Sequence, residues 1–441
     1  MLSAVEVNSE LEIGDWRLEI GDWRLEIGDW RFKKNKIMIL KTRYIVICLV
    51  FVSCMGTEAK MEGSDSQNQN AQTTVRKIEP GITFFDSYLP SLENKKVAIV
   101  ANHTSLINGV HLVDTLRSVG IDVTKVFAPE HGFRGDKDAG ENIVNGNEDG
   151  LEIISLHGKD KKPRAEDLAE IDVVIFDIQD VGVRFYTYLS TLHYVMESCA
   201  ENDKKLIVLD RPNPNAHYVD GPVLKTNQRS FIGLHPVPIV YGLTIGEYAK
   251  MINGEKWLDN QVVCNLTVIP CQNYDHKSIY ELPIAPSPNL PNLRSIYLYP
   301  SLAIFEGTEI SIGRGTDTPF QLYGHPDYPN KDFSFTPKSG YGAKYPKLEN
   351  KKCFGADLKS IGIDTLRIDS INLTYFFDMY KNTPNKKKFF LENNFFNKLT
   401  GNALLMSQIK KNLPESEIRA SWNTDLNIYL RKRQKYLIYE D

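Results

Sequence analysis

The chain has 441 residues, 42% of them hydrophobic and 24% charged, with a formal net charge of −4. At roughly 150 residues per domain this is two to three domains, with a core large enough to need no disulfide staples. The composition excludes wholesale disorder and a polytopic membrane protein, and the weak acidity leaves no basic footprint for nucleic acid.

Residues 11–31 repeat LEIGDWR three times. Gly and Asp in mid-repeat are poor helix formers, and three heptads without e/g charge logic make a weak coiled coil. Residues 1–37 are therefore read as a mis-assigned start ahead of Met38. From Met38, Lys41 and Arg43 form a positive n-region and residues 44–52 a short apolar run. That run is too short to span a bilayer comfortably and reads as a signal peptide over 38–54. Ser53-Cys54 resembles a relaxed lipobox, with Cys54 as the lipidated residue of an exported, periplasmic or cell-envelope lipoprotein; the alternative is cleavage near Gly56. Membrane contact is expected only through that anchor. Residues 55–76 are polar and read as a flexible tether.

Strand-like and helix-like runs alternate from residue 95 onward. Residues 96–103 (KVAIVANH), 123–132 (VTKVFAPEHG), 153–156, 172–180 (DVVIFDIQD) and 205–210 (KLIVLD) read as buried strands ending in polar residues. Residues 111–120 and 186–202 carry helical spacing. This βαβ alternation predicts an α/β fold with a Rossmann-like parallel sheet, whose ligands sit at the carboxyl ends of the strands. Asn102, His103, Glu130, His131, Asp177, Asp180 and Arg211 all fall at such ends. Five prolines in residues 281–302 predict an extended connector. A smaller α+β subdomain follows, with strand character at 366–376 and helices over 387–411 and 423–439. The expected subdomains are 77–285 and 286–441. Cys199, Cys264, Cys271 and Cys353 lack C-x-x-C spacing, so no zinc site is expected and buried free thiols are.

Four loops carry chemistry-bearing side chains. FAPEHGFRG at 127–135 joins Glu130, His131 and Arg134 in a glycine-containing loop, either an acid with its orienting partners or a structural salt bridge. DIQDVGVRFYTY at 177–188 brings Asp177, Asp180, Arg184 and Tyr186. Carboxylates here beside Glu130 fit glycosidase chemistry, which needs two of them about 5 to 9.5 Å apart; one Asp capping the next helix is the plain alternative. DRPNPN at 210–215 is a rigid turn that either aims Arg211 and Asn213 at a pocket or is only structural. EGTEISIGRGT at 306–316 brings Glu306, Glu309 and an Arg314 between glycines, either an anion contact or a solvated hairpin. No G-x-G-x-x-G follows the first strand, and no G-x-S-x-G, H-E-x-x-H or Walker loop is present. No cofactor and no metal are expected.

These segments, with DGPVL at 220–224, HPVPIVYGLTIGEYA at 235–249, SPNLP at 287–291 and the tail at 422–439, resemble the NamZ-type exo-β-N-acetylmuramidases, glycoside hydrolase family 171. The resemblance covers about residue 79 to the C-terminus. It implies a Rossmann-like subdomain, a smaller second one and a cleft between them. It also implies release of N-acetylmuramic acid from non-reducing ends of peptidoglycan-derived MurNAc-GlcNAc saccharides in cell-wall recycling, with the Glu of PEHG, here Glu130, as leading catalytic candidate. Glu130 would protonate the glycosidic oxygen, with Asp177, Asp180, Glu306 or Glu309 as base or electrostatic stabiliser, or the substrate's own acetamido group assisting. The lactyl carboxylate of that sugar calls for a cation, with Arg134, Arg184, Arg211 and Arg314 as candidates. The competing reading is a lipid-anchored, non-catalytic cell-wall sugar-binding protein.

Overall fold

A computed structural model describes residues 76–134, 145–148 and 150–441. The heptad repeats, the signal-like segment, Cys54 and the tether to residue 75 lie outside the described residues. Among the described residues, no helix is long and apolar enough to cross a membrane.

The fold is α/β. Seven strands form the main sheet: β1 (Lys96–Ala101), β2 (Asp122–Ala128), β3 (Gly146–Glu148), β4 (Leu151–Ser155), β5 (Val173–Asp177), β6 (Lys205–Leu209) and β7 (Asn265–Ile269). Their order is β3-β4-β2-β1-β5-β6-β7. Every pairing is parallel except that of the edge strand β3 with β4. The chain builds outward from β1 on one side, then returns to β5 on the other. That reversal is a topological switch point, where open α/β sheets form a crevice.

The two faces of the sheet explain the uninterrupted apolar strands. Val97, Ile99, Ala101, Val173, Ile175 and Ile207 pack one way, against Tyr88, Leu92 and helix α1 (Leu112–Ser118). Ala98, Val100, Phe127, Val174, Phe176 and Val208 pack the other way, against α2 (Tyr188–Glu201) and α3 (Ile245–Gly254). Both parities are buried, so the period-2 signal vanishes and strands read as solid runs. The second cluster continues without a break into the C-terminal half.

That half holds an antiparallel sheet of β8 (Leu322–His325), β9 (Ser334–Phe335) and β10 (Cys353–Asp357) in the order β8-β10-β9. Around it lie α4 (Leu293–Leu302), α5 (Thr374–Asn382), α6 (Asn423–Arg433) and shorter helices. Three sequence expectations are corrected. The connector ends at Asn292, whose side chain accepts from Ser295 N and caps α4, a helix that tolerates an internal Pro300. Residues 366–376 form no strand: Ile371 and Leu373 are buried loop residues, and α5 starts at Thr374. The helices expected over 387–411 and 423–439 are shorter, at Phe395–Thr400, Leu404–Lys410 and Asn423–Arg433. The four described cysteines are free and buried.

Candidate active site

After β2 the chain passes Pro129 and turns sharply. Gly132 N donates to Pro129 O at 2.9 Å, and His131 and Gly132 take φ of 72° and 80°. A left-handed non-glycine residue costs on the order of 1 kcal/mol, a local cost typical of sites where a side chain must be aimed. The turn places Glu130 over the start of α2. There Thr187 donates its hydroxyl to Glu130 Oε2 at 2.5 Å, and the Tyr188 hydroxyl, itself accepting from Asn102 Nδ2 at 2.9 Å, lies 3.5 Å from the Glu130 carbonyl. His131 Nε2 lies 3.4 Å from Ser287 Oγ in the proline-rich connector. Asn289 Nδ2 in turn holds the Gly342 carbonyl at 2.6 Å, tying the connector to the 340–347 loop.

These elements enclose a cleft of about 680 Å³, within the roughly 300–1,000 Å³ of small-molecule sites. Its wall is a file of rings packed edge to face: Tyr188 on Tyr186 at 4.9 Å, Tyr186 on Tyr299 at 6.0 Å, Tyr299 on Phe320 at 4.9 Å. Arg314 ends the file, its guanidinium carbon 4.9 Å from the Phe320 ring centre. Arg314 Nε donates to Glu306 Oε1 at 2.6 Å. Lys347 donates to the carbonyls of Phe305 at 3.1 Å, Glu306 at 3.3 Å and Thr308. Burial alone would raise the Glu306 carboxyl, but Arg314 and Lys347 outweigh it and hold the group below the usual carboxylate range. The Arg314 turn needs glycine: at Gly315, with φ of 76°, a Cβ would meet Lys338 O at 2.3 Å.

Of the residues singled out in the sequence, Glu130, Glu306, His131, Tyr186 and Arg314 line this cleft. The others do not, and each has a physical reason. Asp177 is fully buried and held by Arg211, which donates Nε to Oδ1 at 2.6 Å and Nη2 to Oδ2 at 2.9 Å. Both are internal charges that neutralise each other. Asp180 is buried beneath the rings, accepting from Gly182 N at 2.7 Å and from the Tyr241 hydroxyl. Burial pushes its carboxyl up to about 6. Arg184 is buried and spends its terminal amines on the carbonyls of Pro222, Val237 and Leu399, stapling the two halves together. Asn102 closes the end of β1 on Thr104, and His103 Nε2 lies 2.8 Å from Ala285 O. Arg134 pairs with Glu148 at 2.5 Å and stacks on Phe133. The Glu309 amide joins Phe389 O at 3.0 Å, away from the cleft wall.

The cleft also uses residues that spacing did not single out: Thr187, Ser287, Asn289, Tyr299 and Lys347. Ser287 and Asn289 lay inside a recognised motif without an assigned role. Lys347 comes from a loop with no sequence signal; only the fold brings it within reach of Glu306.

Comparison with known proteins agrees with this architecture. Residues 97–294 match the family described as "Exo-beta-N-acetylmuramidase NamZ, N-terminal", and residues 297–439 its C-terminal counterpart. The chain is 34% identical over 398 residues to the peptidoglycan beta-N-acetylmuramidase NamZ of Bacillus subtilis (strain 168), covering 85% of this chain and 94% of that one. Two crystal structures of DUF1343 family proteins from Bacteroides fragilis superpose on it. One is 43% identical, with a TM-score of 0.77 over 83% of this chain and 100% of its own. The other is 28% identical, with a TM-score of 0.72 over 82% and 99%.

Proposed function

Since the chain belongs to the NamZ exo-β-N-acetylmuramidase family, we propose that it is a glycosidase that releases N-acetylmuramic acid from non-reducing ends of peptidoglycan fragments, with Glu130 as general acid. The observation that carries the assignment of Glu130 is its place: a partly exposed carboxylate at a strand end, on the wall of the cleft, oriented by the Thr187 hydroxyl. Among the described residues, Glu306 is the other carboxylate on that wall, and it is engaged by Arg314. In the reaction the C1–O bond breaks as Glu130 gives its proton to the leaving oxygen. Water then adds hydroxide to C1 and returns a proton to the carboxylate. The ring file Tyr186–Tyr299–Phe320 supplies flat apolar surface of the kind a sugar ring packs against.

The test is release of free N-acetylmuramic acid from MurNAc-GlcNAc, followed by mass spectrometry. Glu130→Gln keeps the acceptor for Thr187 but has no proton to give. It is expected to lower turnover by about 10²–10⁴-fold with an unchanged melting temperature. Binding of the disaccharide without release by the wild type would instead favour a non-catalytic sugar-binding protein.

We also propose that the protein is exported and lipid-anchored at Cys54, acting in cell-wall recycling. The basic residues before an apolar run ending in Ser53-Cys54 support this. Metabolic labelling with a tagged fatty acid should mark the wild type and not Cys54→Ala.

A further inference from the structure

The geometry points to Arg314 as the residue that reads the lactyl carboxylate of the muramic sugar, with Glu306 as its positioning residue. This deepens the muramidase reading and rests on it. N-acetylmuramic acid differs from N-acetylglucosamine by one group, a lactyl ether bearing a carboxylate. A site that selects it needs a cation on the cleft wall with donors to spare.

Among the described residues, one arginine stands in that position. Arg184 and Arg211 are buried and spent on internal partners, and Arg134 is bound to Glu148 off the cleft wall. Two lysines also line the cleft: Lys344, with its ammonium 5.6 Å from the Tyr345 ring centre, offers a point charge and no planar fork, and Lys347 has three donors that three backbone carbonyls take. Arg314 is different. Its Nε is fixed on Glu306, its guanidinium carbon lies over the Phe320 ring, and its two terminal nitrogens make no hydrogen bond among the described residues. The side chain is about a quarter exposed, and Arg314 lines the cleft. A guanidinium held by Nε and by a ring face has lost its rotamer freedom before the ligand arrives. The remaining edge presents two parallel N–H donors, the fork that matches a carboxylate.

Glu306 then has a defined task. It orients the fork and, because Lys347 shares its charge, leaves Arg314 with net positive character toward the cleft. Glu130 also faces Arg314 closely enough for its charge to be felt there. The carboxylate-reading edge and the proton donor therefore belong to one site, as they must if one sugar residue spans both.

The experiment compares MurNAc-GlcNAc with its analogue in which the lactyl carboxylate is converted to the primary carboxamide, a neutral group of nearly the same shape. The readout is the ratio of kcat/KM for acid over carboxamide. The wild type is expected to prefer the acid by on the order of tenfold or more, the range of a charge-assisted pair. Arg314→Gln should bring the ratio near one, and Arg314→Lys should fall between, since it keeps the charge and loses the fork. Glu306→Gln should lower the ratio through KM while kcat persists. A ratio in Arg314→Gln equal to that of the wild type overturns the assignment. Abolished kcat on both substrates in folded Glu306→Gln overturns the positioning role. If wild-type protein releases sugar from neither substrate, the muramidase reading itself falls. Melting curves of each variant exclude misfolding as the cause, and Arg314→Lys with Glu306 intact keeps the ion pair where Arg314→Gln proves unstable.

Discussion

Glu130 and Asp177 stand at the ends of the two strands that flank β1, yet the fold gives them opposite fates. Asp177 has no exposed surface, and its two oxygens are taken by the Arg211 fork. Removing one partner of such a buried pair leaves an uncompensated charge and costs about 3–5 kcal/mol. Asp177→Asn should therefore lower the urea midpoint sharply while the molecules that remain folded keep wild-type kcat. Loss of kcat in a protein with an unchanged midpoint would restore Asp177 as a catalytic candidate. In the sequence both carboxylates read alike, as polar residues where a buried strand surfaces. What separates them is Arg211, which follows β6, 34 positions further along the chain. Local spacing carries no trace of that pairing.

At the scale of elements, the turn at 210–215 shows how a motif can be structural throughout. Pro300 sits inside α4 and has no N–H for the carbonyl of Ile296. Asn215 Nδ2 supplies the missing donor, reaching Ile296 O at 3.2 Å and Val181 O at 2.9 Å. Asn213 interlocks with the neighbouring loop, where a Cβ on Gly182 would lie 2.2 Å from its Oδ1. Asn215→Ala is expected to cost about 1–3 kcal/mol by stranding buried carbonyls. In a Pro300→Ala background the helix regains its own donor to Ile296, so the same change should cost less. A double-mutant cycle from urea unfolding measures that difference, expected at about 0.5–3 kcal/mol; perfectly additive changes would refute the link. The strands of the main sheet were readable because burial on both faces makes long Val/Ile runs. The segment at 366–376 reads as a strand for the converse reason. Its alternation comes from a loop pinned where Asp220 accepts from Ile371 N at 2.7 Å, which mimics period 2 over a few residues. Glu130 and Arg314 were legible because each sits between glycines or at a strand end. Thr187 and Lys347 were not, because their relevance depends wholly on what the fold sets opposite them.

Across the whole molecule, the last described residues bind back onto the parallel sheet through buried carboxylates. Tyr439 donates its hydroxyl to Asp210 Oδ2 at 2.6 Å and accepts from Cys271 N at 2.8 Å. Glu247 Oε1 accepts from Ile438 N at 2.8 Å, and Arg433 grips the Asp441 carboxylate. Burial pushes the Asp210 carboxyl up to about 6, against the hydroxyls of Tyr439 and Thr244 and the amide of Gly246, which pull it down. A carboxyl raised on folding holds its proton between about pH 4, where the unfolded chain releases it, and its folded value. Across that window the folded state binds more protons, so stability falls as pH rises and then levels off. Asp441, held below the usual range first by Arg433, acts in the opposite sense and only under about pH 4, where its contribution is lost as pH falls. The windows do not overlap, so Asp210 can be isolated. Tyr439→Phe removes a hydroxyl that favours the ionised form, and the Asp210 value should rise further. Its stability loss relative to wild type should therefore be smallest near pH 4 and grow to about 1–3 kcal/mol by pH 8. Asp180 lies in the same window but is common to both proteins, so it cancels in the difference. Urea unfolding of the two proteins from pH 4 to 8 provides the measurement. A difference that stays constant across that range would mean that Tyr439 anchors the C-terminal segment by packing alone and does not tune Asp210.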